Sequence, residues 1–141
     1  VDLKQFDTRT TANKGVIFNP TPPGYSEPVK EVSFLVVGVD SKIFMDKAIK
    51  NAREDMDSMK RNPKKKEISD EDIEKAKKRR IEDIAVCILD WSGIEENGVK
   101  VDFSFANAVN LLTDYPWLFE QLDMFIGDRA NFLPSAGQVG K

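Results

Sequence analysis

Histidine does not occur in this chain, and cysteine occurs once, as Cys87. The first absence removes the commonest general base and the commonest metal ligand at neutral pH. No Ser-His-Asp or Cys-His arrangement can be assembled within one copy. A single thiol supplies neither a zinc site nor an internal disulfide, and it suits a reducing compartment. There is no Walker-type phosphate loop and no G-x-G-x-x-G, and Ser92 has glycine on one side only, so it is no nucleophile elbow. No apolar run approaches the roughly 18 residues that a bilayer-spanning helix needs. The longest, near Phe34 to Val39, suits a buried strand. Val1 to Arg9 are polar and charged, unlike the apolar core of a secretory signal. A cytoplasmic protein is expected.

What remains is a chain of 141 residues, 40% hydrophobic and 32% charged, with a formal net charge of −3 and a mean hydropathy of −0.42. That is enough length for one domain with a real core and too little charge of one sign to drive nucleic-acid or membrane binding overall. The carboxylates have structural explanations. Asp70, Glu71 and Asp72 fall in a first helical turn, where the helix dipole favours negative charge. Glu95 and Glu96 flank a turn, and Asp55 and Asp57 are two apart on a helix and cannot share a ligand. Asp128 and Arg129 point to no cleft. No catalytic residue, cofactor or metal is therefore expected.

The pattern predicts an α+β fold, mainly α, with an N-terminal β-hairpin followed by about four helices in one domain. Residues 1–13 read as a flexible arm, 14–132 as the domain and 133–141 as a disordered tail. Two runs, 14–19 and 29–40, rich in Val and Phe, suit the hairpin strands, joined by the proline-rich Pro20 to Pro28 segment. At Ser41, a plausible N-cap, the period changes. Phe44, Ala48, Ala52, Met56 and Met59, widened by Met45 and Ile49, predict an amphipathic helix of about twenty residues that stops at Asn62-Pro63. Ser69, with Asp72 three residues on, resembles a capping box. Ile73, Ala76, Ile81, Ile84, Ala85, Ile88 and Trp91 then predict a second helix ending at Ser92-Gly93, with its weakly apolar N-terminal half projecting into solvent. Asn97-Gly98 marks a tight turn within a tiny hairpin formed by Ile94 and Val99 to Phe103. Ser104 opens a third helix that buries Phe105, Ala108, Val109 and Leu112. Pro116 opens a fourth, burying Trp117, Leu118, Leu122, Phe125 and Ile126 and reaching toward Phe132.

Positive charge gathers between Lys60 and Arg80: Lys60, Arg61, Lys64, Lys65, Lys66, Lys75, Lys77, Lys78, Arg79 and Arg80 against five acids, a local +5 that leaves −8 for the remainder. The bland reading is a solvated helical arm with pairs such as Glu71–Lys75 and Glu74–Lys78. The functional readings are a clamp on an acidic partner, head-to-tail self-association, or a nucleic-acid contact. Met45, Met56 and Met59 read first as core packing and second as an adaptable binding face. Cys87 reads as a small buried hydrophobe rather than a reactive thiol.

From Ile88 to Ile126 the sequence resembles the tail assembly chaperones of long-tailed phages, encoded just before the tape measure. The resemblance rests on Trp91, Ser92, Gly93, Gly98, Phe103, Ser104, Asn107, Leu111, Leu112, Pro116, Trp117 and Gln121. It departs from that pattern at Phe105-Ala106, where Pro-Glu is common, and at Asp102. It implies a non-enzymatic protein that binds the tape measure protein and self-associates as the tail tube polymerises. It also implies a frameshift-extended form of itself, near Gly140-Lys141, as a partner, with contact to the tail tube protein, and absence from the mature virion. Two other readings stand beside it: a tail completion or head–tail joining protein, and a nucleic-acid-binding module built on residues 60–80.

Overall fold

Backbone pairing and capping follow the local chemistry at most element boundaries. The computed structural model describes residues 1–64 and 67–136. A 3-10 turn at Leu3–Phe6 leads into α1 (Arg9–Lys14), β1 (Val16–Phe18), β2 (Ser33–Val36), α2 (Lys42–Arg61) and α3 (Asp70–Ala85). Then come β3 (Ile88–Ser92), β4 (Glu95–Glu96), β5 (Val99–Lys100), α4 (Phe105–Asp114), α5 (Pro116–Gly127) and a 3-10 turn at Arg129–Phe132. The result is a mainly helical α+β domain with N-terminal antiparallel strands.

Serine side chains start three of the helices. Ser41 accepts from the Phe44 N–H at 3.2 Å, and Ser104 accepts from the Asn107 N–H at 3.0 Å. Ser69 and Asp72 form the reciprocal capping box, with Asp72 accepting from the Ser69 N–H at 3.0 Å. Pro116 occupies the first turn of α5. Asn97 and Gly98 both have positive φ, 53° and 77°, as a two-residue hairpin turn demands, and Glu95 pairs with Lys100 across it.

The sheet has the order β1-β2-β3, antiparallel throughout. Its register stacks Phe18 on Phe34 and Phe34 on Trp91, and it aligns Val16, Val36 and Ile88. Phe34 and Val36 are fully buried, and this face packs against α3, α4 and α5. The rings continue beyond the sheet in both directions. Trp91 meets Phe103 edge-on at 5.2 Å, Phe18 meets Phe125 at 4.9 Å, and Phe125 meets Phe132 at 5.8 Å.

Four expectations are corrected. The second helix does not reach Trp91. It ends at Ala85, and Ile88–Ser92 is the third strand of the sheet. The three-residue spacing of Ile88 and Trp91 read as helical because the β2–β3 pairing is irregular between Leu35 and Val36. An extra residue at such a bulge brings positions three apart to one face of a strand. Residues 1–13 are not a loose arm: α1 spans much of them, and Ala12 is 1% exposed in the core. Thr8 donates to Asp40 at 2.6 Å, and Arg129 donates to the same carboxylate at 2.8 and 3.0 Å, which ties the N-terminus to the end of the domain. These two partners, Arg129 first, hold the Asp40 carboxyl below its ordinary pKa. Phe105 lies on the exposed side of α4, while Ala108, Leu111 and Leu112 are buried. Finally, α5 stops at Gly127, and Phe132 is buried from the following 3-10 turn. Leu133 to Ala136 make one more turn; residues 137–141 lie outside the described residues.

Gly93 joins β3 to β4 at φ 80°, and a Cβ there would run into the Glu31 carbonyl. Gly93→Ala is therefore expected to destabilise the fold by at least about 2 kcal/mol, because left-handed strain adds to a backbone clash. Urea unfolding of the two proteins measures the difference. The same substitution at Gly98, where nothing lies within 4 Å of an added Cβ, should cost less.

Candidate protein-docking face

Helix α2 has 20 residues, and not one of them is buried. An amphipathic helix ordinarily turns its apolar stripe to the core. Here Ile43 and Phe44, next to the cap, pack against the core, and the rest of the stripe faces solvent. Met45 is 53% exposed, Ile49 48%, Met56 60% and Met59 71%. Ala48 and Ala52 between them are exposed as well. The expectation that these methionines pack in the core is corrected.

The reason lies on the opposite side of the helix. Lys47, Asn51, Glu54 and Asp55 follow one another along it at helical spacing, and α3 offers Arg79 and Asp83 to match. Lys47 lies 3.0 Å from Asp83, and Asn51 donates to Asp83 at 2.8 Å and accepts from Lys47 at 2.7 Å. Arg79 donates to Asp55 at 2.8 Å and reaches Glu54 at 3.5 Å. The hydrogen bond to Asp55 raises the Arg79 pKa further and keeps the guanidinium charged. The α2–α3 hairpin is thus closed by polar groups. At about 100° per residue, α2 carries its apolar stripe roughly a third of a turn or more from that seam.

The basic stretch is distributed along the same hairpin. Arg79 is spent on α2. Arg80 pairs with Asp123 at 3.3 Å and lies over the Phe119 ring at 5.3 Å, which docks α3 on α5. Lys75 pairs with Glu71 at 3.5 Å as the spacing suggests, but Glu74 pairs with Lys77 at 3.6 Å rather than with Lys78. Lys64, Lys77 and Lys78 are exposed. Lys65 and Lys66 lie outside the described residues. A shallow groove between α2 and α3, lined by Ser58, Ile68, Ile73 and Ala76 together with the charged Glu67 and Lys77, lies toward the hairpin tip, apart from the α2 stripe.

The residues that carry the phage resemblance sit elsewhere, around the small β4–β5 hairpin and the starts of α4 and α5. Trp91 Nε1 donates to the Val101 carbonyl at 2.9 Å, and Ser92 Oγ is 2.8 Å from Ser33 Oγ. Asn107 Nδ2 donates to the Asp102 carbonyl at 2.8 Å. Leu111 and Leu112 are buried in the core. Gln121 clamps the proline-rich loop, accepting from the Thr21 N–H at 2.9 Å and donating to the Thr21 carbonyl at 2.7 Å. Trp117 joins Pro20, Pro22, Tyr25 and Ile94 around a groove of about 350 Å³, with Glu95 and Glu96 at its edge. The Gln121 clamp and the polar α2–α3 seam were missed in the sequence. The seam had a signal: polar residues four apart on the side of α2 opposite its methionines.

Among the described residues no His/Cys/Asp/Glu group is arranged to hold a metal, and no helix is long and apolar enough to cross a membrane. Cys87 follows α3, fully buried, its thiol donating to the Asp83 carbonyl at 3.4 Å. Burial first, then the nearby Asp83 charge, pushes its pKa up to about 12. A disulfide-forming reagent at pH 8 is expected to leave Cys87 unmodified in the native protein and to titrate one thiol in denaturant; rapid labelling of the native protein would contradict this burial.

No curated protein and no solved structure matches the chain. A model of the YdaY prophage protein family matches residues 40–132. The matched span opens at the foot of α2 and closes at Phe132, so it takes in the whole hairpin arm, β3 to β5, and α4 and α5. On that match, covering more than half of its length, this chain belongs to the YdaY prophage protein family and is of bacteriophage origin.

Proposed function

We propose that this prophage protein is a non-enzymatic tail assembly chaperone, which binds the tape measure protein and self-associates during tail tube assembly. The observation that carries the reading is α2: twenty residues, none buried, with an apolar stripe of Met, Ile and Ala turned outward. A large exposed apolar stripe on a small domain is what a protein-binding face requires. Unbranched methionines suit a partner whose sequence varies along its length, because the thioether chain adapts its rotamer to the surface it meets. A long helical tape measure protein, prone to aggregate before it is enclosed, has that character. The phage origin supports the reading, as does the likeness of Trp91 to Gln121 to the tail chaperones. The protein then acts in the host cytoplasm, beside a frameshift-extended form of itself and the tail tube protein, and leaves before the virion matures.

Co-expression with the tape measure protein of the same prophage tests this. The expected result is co-purification and a rise in soluble tape measure protein. Ile49→Glu with Met56→Glu should reduce capture by about tenfold or more, since burying an unpaired carboxylate costs at least about 1.4 kcal/mol. Failure of the unaltered protein to retain tape measure protein would sink the proposal, as would its recovery as a component of mature virions.

A further inference from the structure

The exposed residues of α2 are spaced more regularly than a general sticky surface needs. Met45, Ile49, Ala52, Met56 and Met59 recur at steps of four, three, four and three. That is the a/d repeat of a coiled-coil seam. The side of α2 held by α3, through Lys47, Asn51 and Glu54, is the opposite one. The seam therefore stands open along about 20 Å of helix. A seam of this kind is filled by a facing helix with the same repeat.

We infer that the facing helix is α2 of a second copy of this chain, docked antiparallel about a twofold axis. The inference deepens the docking-face reading and rests on it only in using the same stripe. In this register Met45 of each copy lies opposite Met56 of the other. Ile49 lies opposite Ala52, large against small, as interdigitating layers require. Lys42 and Met59 close each end, the lysine stem lying along the seam with its charge in water. Charge selects the register. Asp46 and Arg53 flank the seam on one side, both exposed. Antiparallel docking sets each Asp46 beside the other copy's Arg53, giving two reciprocal opposite-charge pairs. Arg53 makes no ion pair among the described residues, and Asp46 has only an exposed pair with Lys42 at 2.7 Å to share. A slip of one heptad would bring Arg53 against Arg53 and Asp55 against Asp55. A parallel pair would draw on Asp55, which Arg79 already holds at 2.8 Å, and would place both globular bodies at the same end of the helices. Antiparallel docking puts the bodies at opposite ends and closes the interface on itself.

Such a seam is short, about two heptads, with a single alanine at its centre. The dimer is accordingly a reversible one that covers the stripe until a competing helix displaces it.

Sedimentation equilibrium of the purified full chain, across a wide concentration range, tests the pairing without any tape measure protein. The unaltered chain should dimerise. Asp46→Arg alone and Arg53→Asp alone should each weaken the dimer by about tenfold or more, since each replaces two attractive pairs with two repulsive ones. Mixing the two single variants should restore a heterodimer, and the double variant should recover the homodimer. Both side chains are exposed, and circular dichroism checks that each variant keeps its fold. A chain that stays monomeric at every concentration overturns the inference. A dimer indifferent to the single swaps, as parallel pairing would give, also overturns it, as does a mixture that fails to recover. Dimerisation of the unaltered chain together with its failure to capture tape measure protein would count against the client reading alone.

Discussion

Six aromatic rings in unbroken contact hold the domain together. Phe103, Trp91, Phe34, Phe18, Phe125 and Phe132 touch in that order, with centroids 4.9 to 6.2 Å apart and tilted or edge-on geometry throughout. Each such contact adds about 0.5–1.5 kcal/mol beyond the apolar area it buries. Their larger consequence is topological. The rings come from the segment before α4, from all three strands of the sheet, from α5 and from the final 3-10 turn. One continuous apolar line thus welds sequence-distant elements, and a shift of one strand by one residue would break it, since every side chain would change face.

With the core satisfied by that line and by α3, α4 and α5, no described residue remains to cover the apolar side of α2. The helix is held by its cap, by Ile43 and Phe44 at its foot, and by the Lys47–Asp83–Asn51 and Arg79–Asp55 contacts along its polar side. Polar contacts of this exposure hold geometry more than they contribute stability. They orient α2 so that its apolar side must face water. A protein that bears such a stripe tolerates a liability for aggregation unless something binds it. Either proposed occupant, a client helix or a second copy, would relieve that liability in the same way.

The family match begins at the foot of this helix, so the arm lies inside what defines the family, while α1, β1 and β2 lie outside it. The residues behind the tail-chaperone likeness, from Trp91 to Gln121, serve instead to fasten loops: the β4–β5 hairpin through Trp91, the proline-rich loop through Gln121. They hold the scaffold together, while α2 carries the exposed apolar stripe.

Local chemistry made much of this readable without a structure. Ser41, Ser69 and Ser104 start helices because a side-chain oxygen satisfies an amide three residues on. Pro63 and Pro116 mark boundaries because proline lacks an amide hydrogen, and Asn97-Gly98 turns because both residues accept positive φ. The absence of histidine bounded the chemistry equally directly. Packing decided the rest, because burial and strand pairing depend on residues far away in the chain. The spacing of Ile88 and Trp91 fits a helix or a bulged strand, and only the edge of β2 selects the strand. The stripe on α2 fits a core or a docking face, and only the position of α3 turns it outward.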